Sequence, residues 1–256
     1  MSSLGTPGSA ERSPRRCETD GRVLELGSPP EAALANYYAQ RAPQYERVYH
    51  KPERQGDLRQ VRALVADAFA GKDVLEIACG TGYWTELVSH RAASVLALDC
   101  NEEVLTYARQ KPCAPGKVTF RQGNAFALPA FPRRFNAALA GFWWSHVPKG
   151  SLRPFLQGLH EVLEPGALVM FFDNAWVAGS STPLSRKDSD GNPLSARDED
   201  GNTYQERLLD DGSTHRIVKN FPDAGELQQA VAGMAAELEI RFLTYYWILQ
   251  YRLAPK

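Results

Sequence analysis

From Lys72 to Asn174, short apolar runs alternate with amphipathic stretches, and this alternation limits the possible folds more than any other feature. KDVLEIA (72–78), ASVLALD (93–99), KVTFRQGNA (117–125), FNAALAGF (135–142) and ALVMFFDN (167–174) read as strands, most of them short apolar runs buried on both faces. Between them, YWTELVSHRA, NEEVLTYARQK (101–111) and SLRPFLQGLHEVL (151–163) carry helical spacing. Asn101 stands at a capping position, with two glutamates in the first turn where the helix dipole favours acids. The last helix puts Leu152, Phe155, Leu156, Leu159 and Leu163 on one face and stops at Pro165-Gly166. Strand and helix in this rhythm give an α/β fold, a parallel sheet covered on both sides. Right-handed crossovers make that sheet doubly wound.

The flanks differ in texture. Residues 1–30 are rich in Ser, Gly, Pro, Glu and Arg and are expected to be a flexible tail, with the folded domain spanning 31–256. EAALANYYAQRAPQYERVYH has helical spacing, and DLRQVRALVADAFA lines up Leu58, Val61, Leu64, Val65 and Phe69. Residues 175–222 are polar and interrupt the alternation. Within them TYQERLLDDGSTHRIVKNF reads as a hairpin about Asp-Gly, an insertion expected to act as a lid. LEIRFLTYYWILQYRL supplies one or two closing strands.

Composition excludes some classes of function. A formal net charge of −1 gives no reason to expect nucleic acid as partner. No apolar run approaches the roughly 20 residues that span a bilayer, and the first residues lack the apolar centre of a secretory signal. Cys17, Cys79, Cys100 and Cys113 match neither a metal knuckle nor a disulfide framework, so no metal and a cytoplasmic setting are expected. His90 and His160 fall on helix positions expected to face solvent.

The chemistry begins at ACGTGYW (78–84). Gly80 and Gly82 follow a strand and open a helix, where a ligand approaches the backbone and the helix end presents amide groups. Asp99 ends the next strand, 17 residues after Gly82, where a carboxylate can take both ribose hydroxyls, and Glu76 lies inside the first strand. Dinucleotide binders need a third glycine three residues after Gly82; Thr85 stands there, which disfavours NAD and FAD. A ligand with ribose and adenine but no phosphate fits better.

VLEIACGTGYW (74–84), LALDCNEEVL (96–105), GNAFALP (123–129) and LHEVLEPGALVMFFD (159–173) resemble, in order, the motifs of class I S-adenosylmethionine-dependent methyltransferases. That resemblance implies a mostly parallel seven-stranded sheet and S-adenosylmethionine as cofactor. It places Gly80 and Gly82 on the methionyl part, Glu76 toward the amine, Asp99 on the ribose, and Asn124 and Ala125 at the adenine. Cys100 packs on the adenine face or is simply a small buried residue. ANYYAQRAPQYERVY is similar to the aromatic helix that closes over the cofactor in small-molecule members, which brings in Tyr38 and Tyr45.

The acceptor is expected beyond the fourth strand, at GFWWSHVP (141–148). Phe142, Trp143, Trp144 and His146 combine flat walls with one group that titrates near neutrality, although a purely structural role fits them too. Phe142 is assigned to the cofactor, and His146, Trp144 and Tyr45 are the catalytic candidates. Trp143, Asp173, Asn174, Tyr204 and Lys219 are the acceptor-binding candidates. YYAQRAPQYERVYHKPERQGDL, GFWWSHVP, the SSTP…LDDGSTH region and VKNFP more narrowly resemble the methyltransferase domain fused to ovothiol-type sulfoxide synthases. That implies methylation at an imidazole nitrogen of a thiohistidine, although Ala175 stands where those domains carry arginine. A small-molecule substrate and a monomer or homodimer are expected. The alternatives are O- or N-methylation of another natural product, and a non-catalytic cofactor-binding regulator.

Overall fold

The computed structural model describes residues 18–19, 22–23, 29–185 and 197–255. The expected tail lies almost wholly outside them; Glu18–Thr19 and Arg22–Val23 form a two-residue antiparallel ladder. The sheet strands and hairpin strands are β1 (Asp73–Ile77), β2 (Ser94–Asp99), β3 (Val118–Gln122), β4 (Phe135–Gly141), β5 (Leu163–Asn174), β6 (Tyr204–Leu208), β7 (Thr214–Val218), β8 (Ala235–Phe242) and β9 (Tyr246–Leu253). The helices are α1 (Pro29–Arg41), α2 (Gln55–Ala68), α3 (Tyr83–Ser89), α4 (Glu102–Ala108), α5 (Lys149–Glu161) and α6 (Ala224–Ala230).

Seven strands form one sheet in the order β8-β9-β5-β4-β1-β2-β3. The pairs β1–β2, β2–β3, β1–β4 and β4–β5 are parallel, while β9 lies antiparallel to both β5 and β8. This is the mostly parallel, doubly wound α/β sheet of a class I methyltransferase fold. Chain order reverses between β1 and β4, which opens a crevice at their carboxyl ends.

Successive side chains of β1 explain the two layers. Val74 packs with α2 residues Leu58, Val61 and Val65 on one face, and Leu75 and Ile77 pack with α5 residues Phe155, Leu156 and Leu159 on the other. Leu64, on the same stripe of α2, is only half-buried. The strand after α5 begins at Leu163 rather than at Ala167. Gly166, at φ 75°, carries an irregularity there that lets the register restart at Leu168.

Three expectations are corrected. His160 does not face solvent: it is 6% exposed, with Nε2 2.7 Å from the Tyr251 hydroxyl of β9. Asn101 occupies the N-cap position of α4, but its side chain makes no capping bond. The helix at 29–41 does not continue regularly; beyond Arg41, Pro43 accompanies a tighter 3-10 stretch over Ala42–His50.

The hairpin expected about Asp-Gly exists, with β6 and β7 paired antiparallel around Asp211-Gly212. It covers α1 through a cluster of Leu34, Tyr37, Leu209 and Ile217. Its base is sewn to the loop after β4: Asn220 N–H donates to Ser145 O at 2.8 Å and its side-chain amide donates to Val147 O at 3.2 Å. Among the described residues, no helix is long and apolar enough to cross a membrane.

Candidate active site

The crevice at the switch point holds two adjoining cavities. The first spans about 840 Å³, in part open to solvent, and is lined by the ends of β1, β2 and β4, α1 and the 123–126 loop. Ala78 and Phe142, directly after β1 and β4, both hold positive φ (52° and 57°), and both line this cavity. Non-glycine residues in that region store strain that the surrounding packing must hold, a common feature of ligand sites.

Gly80 and Asp99 form the floor. Gly80 takes φ 56° and its N–H donates to Asp99 Oδ2 at 2.9 Å; the Asn101 N–H donates to Oδ1 at 2.9 Å. Burial pushes the Asp99 carboxyl up to about 6, and the backbone amides of Asn101, Gly80 and Cys100 work against that rise. Both carboxylate oxygens are thereby fixed in place at the floor of the cavity. The 3-10 segment over Ala42–His50 is tied to the glycine turn by Glu46, which accepts from the Thr81 hydroxyl at 2.9 Å and pairs with Lys111 at 2.6 Å.

Of the residues expected at the cofactor, Tyr38, Gly80, Asp99, Cys100, Asn124, Ala125 and Phe142 line this cavity together. Glu76 and Gly82 do not. Glu76 is buried just beneath, with Oε2 unpartnered, and burial together with the Asp99 charge raises its carboxyl to about 8. Gly82, at φ 80°, opens α3, and a Cβ there would meet Ala108 at 3.1 Å, so its place is set by the approach of α4. Two orphaned polar atoms, Glu76 Oε2 and the buried Trp143 Nε1, are an acceptor and a donor awaiting partners in or beside the cavity. A ligand with a ribose suits the Asp99 carboxylate at the floor of this set.

The second cavity spans about 680 Å³, in part open to solvent, and shares Tyr38, Tyr45, Phe142 and His146 with the first. Its remaining wall is cationic, with Arg41, Lys51, Arg54, Arg207 and Lys219 from four separate segments, beside Asn174, Ser180, Ser181, Thr182 and Gln205. Asn174 and Lys219 were expected at the acceptor and line this wall. Asp173 is fully buried behind it and takes Lys219 Nζ at 3.0 Å and the Ser145 N–H at 3.0 Å. Burial would raise Asp173, but the Lys219 ammonium wins and holds its carboxyl below the ordinary value.

Three expected residues stand elsewhere. Trp143 lines the first cavity rather than the second. Trp144 is 3% exposed, edge-on to Phe171 and Trp247 in the core, and lines neither cavity. Consecutive residues of this turn point opposite ways, so only one indole can face the crevice. Tyr204 also lines neither; its hydroxyl donates to Asp198 Oδ2 at 2.7 Å and Arg216 stacks 3.9 Å over its ring.

His146 lines both cavities but is not a ready base. Nδ1 lies 2.8 Å from Val218 O, a bond that requires the proton there, so Nε2 accepts from the Tyr38 hydroxyl at 2.7 Å. Burial, and then the Lys219 ammonium, hold the imidazole far below its ordinary value and therefore neutral. Tyr45 lines both cavities as well, with burial raising its phenol to about 12.

The sequence reading missed Arg41, Lys51, Arg54 and Arg207. They lie inside stretches read for their aromatics, and isolated cations there look like solvated surface charge. Only the tertiary fold brings them to one wall.

Comparison with known proteins agrees with this geometry. Residues 74–166 match the model of a family described as methyltransferase domain. The chain is 30% identical over 131 residues to a demethylmenaquinone methyltransferase of Shouchella clausii, covering 49% of this chain and 53% of that protein. It is 35% identical over 104 residues to a ubiquinone biosynthesis O-methyltransferase of Azotobacter vinelandii, covering 40% and 44%. The chain thus spans about half the length of these curated relatives. Among solved structures, a DhpI–SAH complex aligns with a TM-score of 0.68 at 26% identity, covering 88% of this chain and 97% of that one. A DhpI–SAM–HEP complex aligns with a TM-score of 0.70 at 24% identity, covering 88% and 99%. Residues 74–166 thus match a methyltransferase domain within a sheet of the class I methyltransferase fold, and S-adenosylmethionine is the cofactor that the first cavity fits.

Proposed function

We propose that this chain transfers a methyl group from S-adenosylmethionine to a small polar metabolite held in the second cavity. The observation that carries this is the shared aromatic boundary: Tyr38, Tyr45, Phe142 and His146 belong to both cavities, so donor and acceptor meet there. When bound, the cofactor supplies a methyl carbon already activated by its sulfonium. The protein's part is alignment and exclusion of water. Asp99 takes the ribose, Glu76 reaches the amine through water from beneath the cavity, and the Tyr38 and Tyr45 rings offer π faces toward a cationic centre.

The proton inventory narrows the acceptor atom. Among the described residues lining the two cavities, the single histidine is neutral with both ring nitrogens engaged. Lys219 is spent on Asp173. With no carboxylate or free imidazole among the described residues lining the second cavity to take a proton, the attacking atom must bring an available lone pair. An unprotonated ring nitrogen or an ionised oxygen fits; a neutral alcohol fits less well.

The finer reading is an imidazole nitrogen of a thiohistidine. Its support is the resemblance across most of residues 36–253, hairpin included, together with an aromatic wall suited to a flat ring. Ala175 departs from that pattern. Incubating the protein with methyl-labelled S-adenosylmethionine and a panel of histidine thiols, followed by mass spectrometry, tests it: label on the ring nitrogen is expected. Label that enters other small acceptors but no imidazole would replace this reading with O- or N-methylation of a different metabolite. Cofactor binding with no product from any acceptor would leave a non-catalytic regulator.

A further inference from the structure

We propose that the outer edge of β8 pairs with β8 of a second copy of this chain, antiparallel about a twofold axis at Ile240, so that two sheets join into one. None of the residues involved lines either cavity, so the inference stands apart from the reading of the site.

β8 is the end strand of the sheet, and among the described residues no strand pairs with its outer side. An unpaired edge offers a row of amides and carbonyls to another strand. Leu243 N–H donates to Tyr246 O at 2.8 Å where β8 turns into β9. Counting back along the antiparallel ladder, Arg241 and Glu239 turn their backbone groups to Ile248 and Gln250 of β9, while Phe242 and Ile240 turn theirs outward. The usable edge is short. Glu237, at φ 48°, and the register irregularity between Ala236 and Glu239 bend the strand before that point. An association built on so few residues depends on concentration.

The side chains select the partner. Edges kept single are commonly blunted by lysine, proline or inward-pointing charge. The β8 edge instead carries an acid and a base two residues apart: Glu239 and Arg241 pair with each other at 2.5 Å, and both side chains are 46% exposed. With the axis at Ile240, Glu239 of each copy stands opposite Arg241 of the other. Those are the non-hydrogen-bonded positions of the new ladder, where side chains approach most closely. Ile240 faces its own counterpart and exchanges both backbone bonds with it across the axis. Phe242, 47% exposed, comes toward Leu238 of the other copy, 37% exposed; the single chain leaves both in water. Moving the axis to Glu239 or to Arg241 sets like charges face to face. The edge is therefore complementary to itself in one register, as an isologous contact requires, and a second copy is the partner it fits.

The test is sedimentation velocity of the full chain across a concentration series. The parent should show a monomer–dimer equilibrium. Glu239→Arg and Arg241→Glu should each weaken it about tenfold or more, because the twofold axis turns both cross-strand pairs into like charges in either variant. The double variant, with acid and base exchanged, should associate as the parent does. Mixing the two single variants should also restore a dimer, since each then meets its opposite charge. Circular dichroism spectra matching the parent's report that the variants fold. A parent that stays monomeric throughout the series, or a dimer indifferent to both single variants, overturns the proposal. Weakening by the single variants that neither the double variant nor the mixture repairs overturns the register on which it stands.

Discussion

The two cavities share an aromatic boundary yet are built by opposite means. The cofactor side is made of backbone and apolar surface around one carboxylate, supplied by the turns that end β1, β2 and β4. The second cavity, the proposed acceptor side, is lined by charged side chains from α1, the 51–54 turn, the hairpin and its exit. A donor common to many enzymes can be held by a local, strained turn. An acceptor peculiar to one enzyme is recognised by side chains that the fold gathers from far apart.

The contrast is sharpest in the two buried aspartates. Asp173 has a cation and sits below its ordinary value; Asp99 has only amides and is raised to about 6. The largest expected effect breaks the first. Lys219→Met should leave Asp173 buried without its partner and cost about 3–5 kcal/mol in urea denaturation. The pH dependence should change sign as well. In the parent, the depressed Asp173 contributes stability above the unfolded carboxylate range, and this is lost as pH falls; in the variant stability should rise as pH falls.

Asp99→Ala comes next, with cofactor affinity weakened by about 1–3 kcal/mol through lost charge-assisted hydrogen bonds. A third, smaller effect follows from pH. Ribose hydroxyls donate to the ionised carboxylate, so cofactor affinity in the parent should be level above pH 7 and fall by about tenfold per unit below pH 6. For stability the sign is the reverse of Asp173: a raised carboxyl binds its proton more tightly in the folded state, so Asp99 opposes folding as pH rises from about 4 to 6. The smallest effect is expected at Tyr204→Phe, which removes a hydroxyl outside both cavities and should leave cofactor affinity within about twofold. A larger change would bring the hairpin's outer strand into the site.

The same contrast governs what was legible in the sequence. Glycine turn, following acid and strand rhythm are local, so Gly80, Asp99, Asn124 and the sheet could be read directly. His160 could not, because Tyr251, 91 residues away on the antiparallel closing strand, converts an apparent surface position into a buried hydrogen bond. Trp143 and Trp144 are adjacent and chemically alike, and only the geometry of the turn separates cavity from core. Arg54 looked like surface charge until the 174–182 segment folded back to give it Asn174 and Ser180. Hairpin strands were visible in the pattern, but the buried Lys219–Asp173–Ser145 anchor at their base was not.

The central claim is that the switch-point cavity holds S-adenosylmethionine by way of Asp99. Equilibrium dialysis of methyl-labelled S-adenosylmethionine against the parent and Asp99→Ala, with NADH as competitor, tests it most directly. Saturable binding at one site per chain, weakened in the variant and undisturbed by NADH, is the predicted result. Displacement by NADH, or equal binding by the two proteins, would contradict the account.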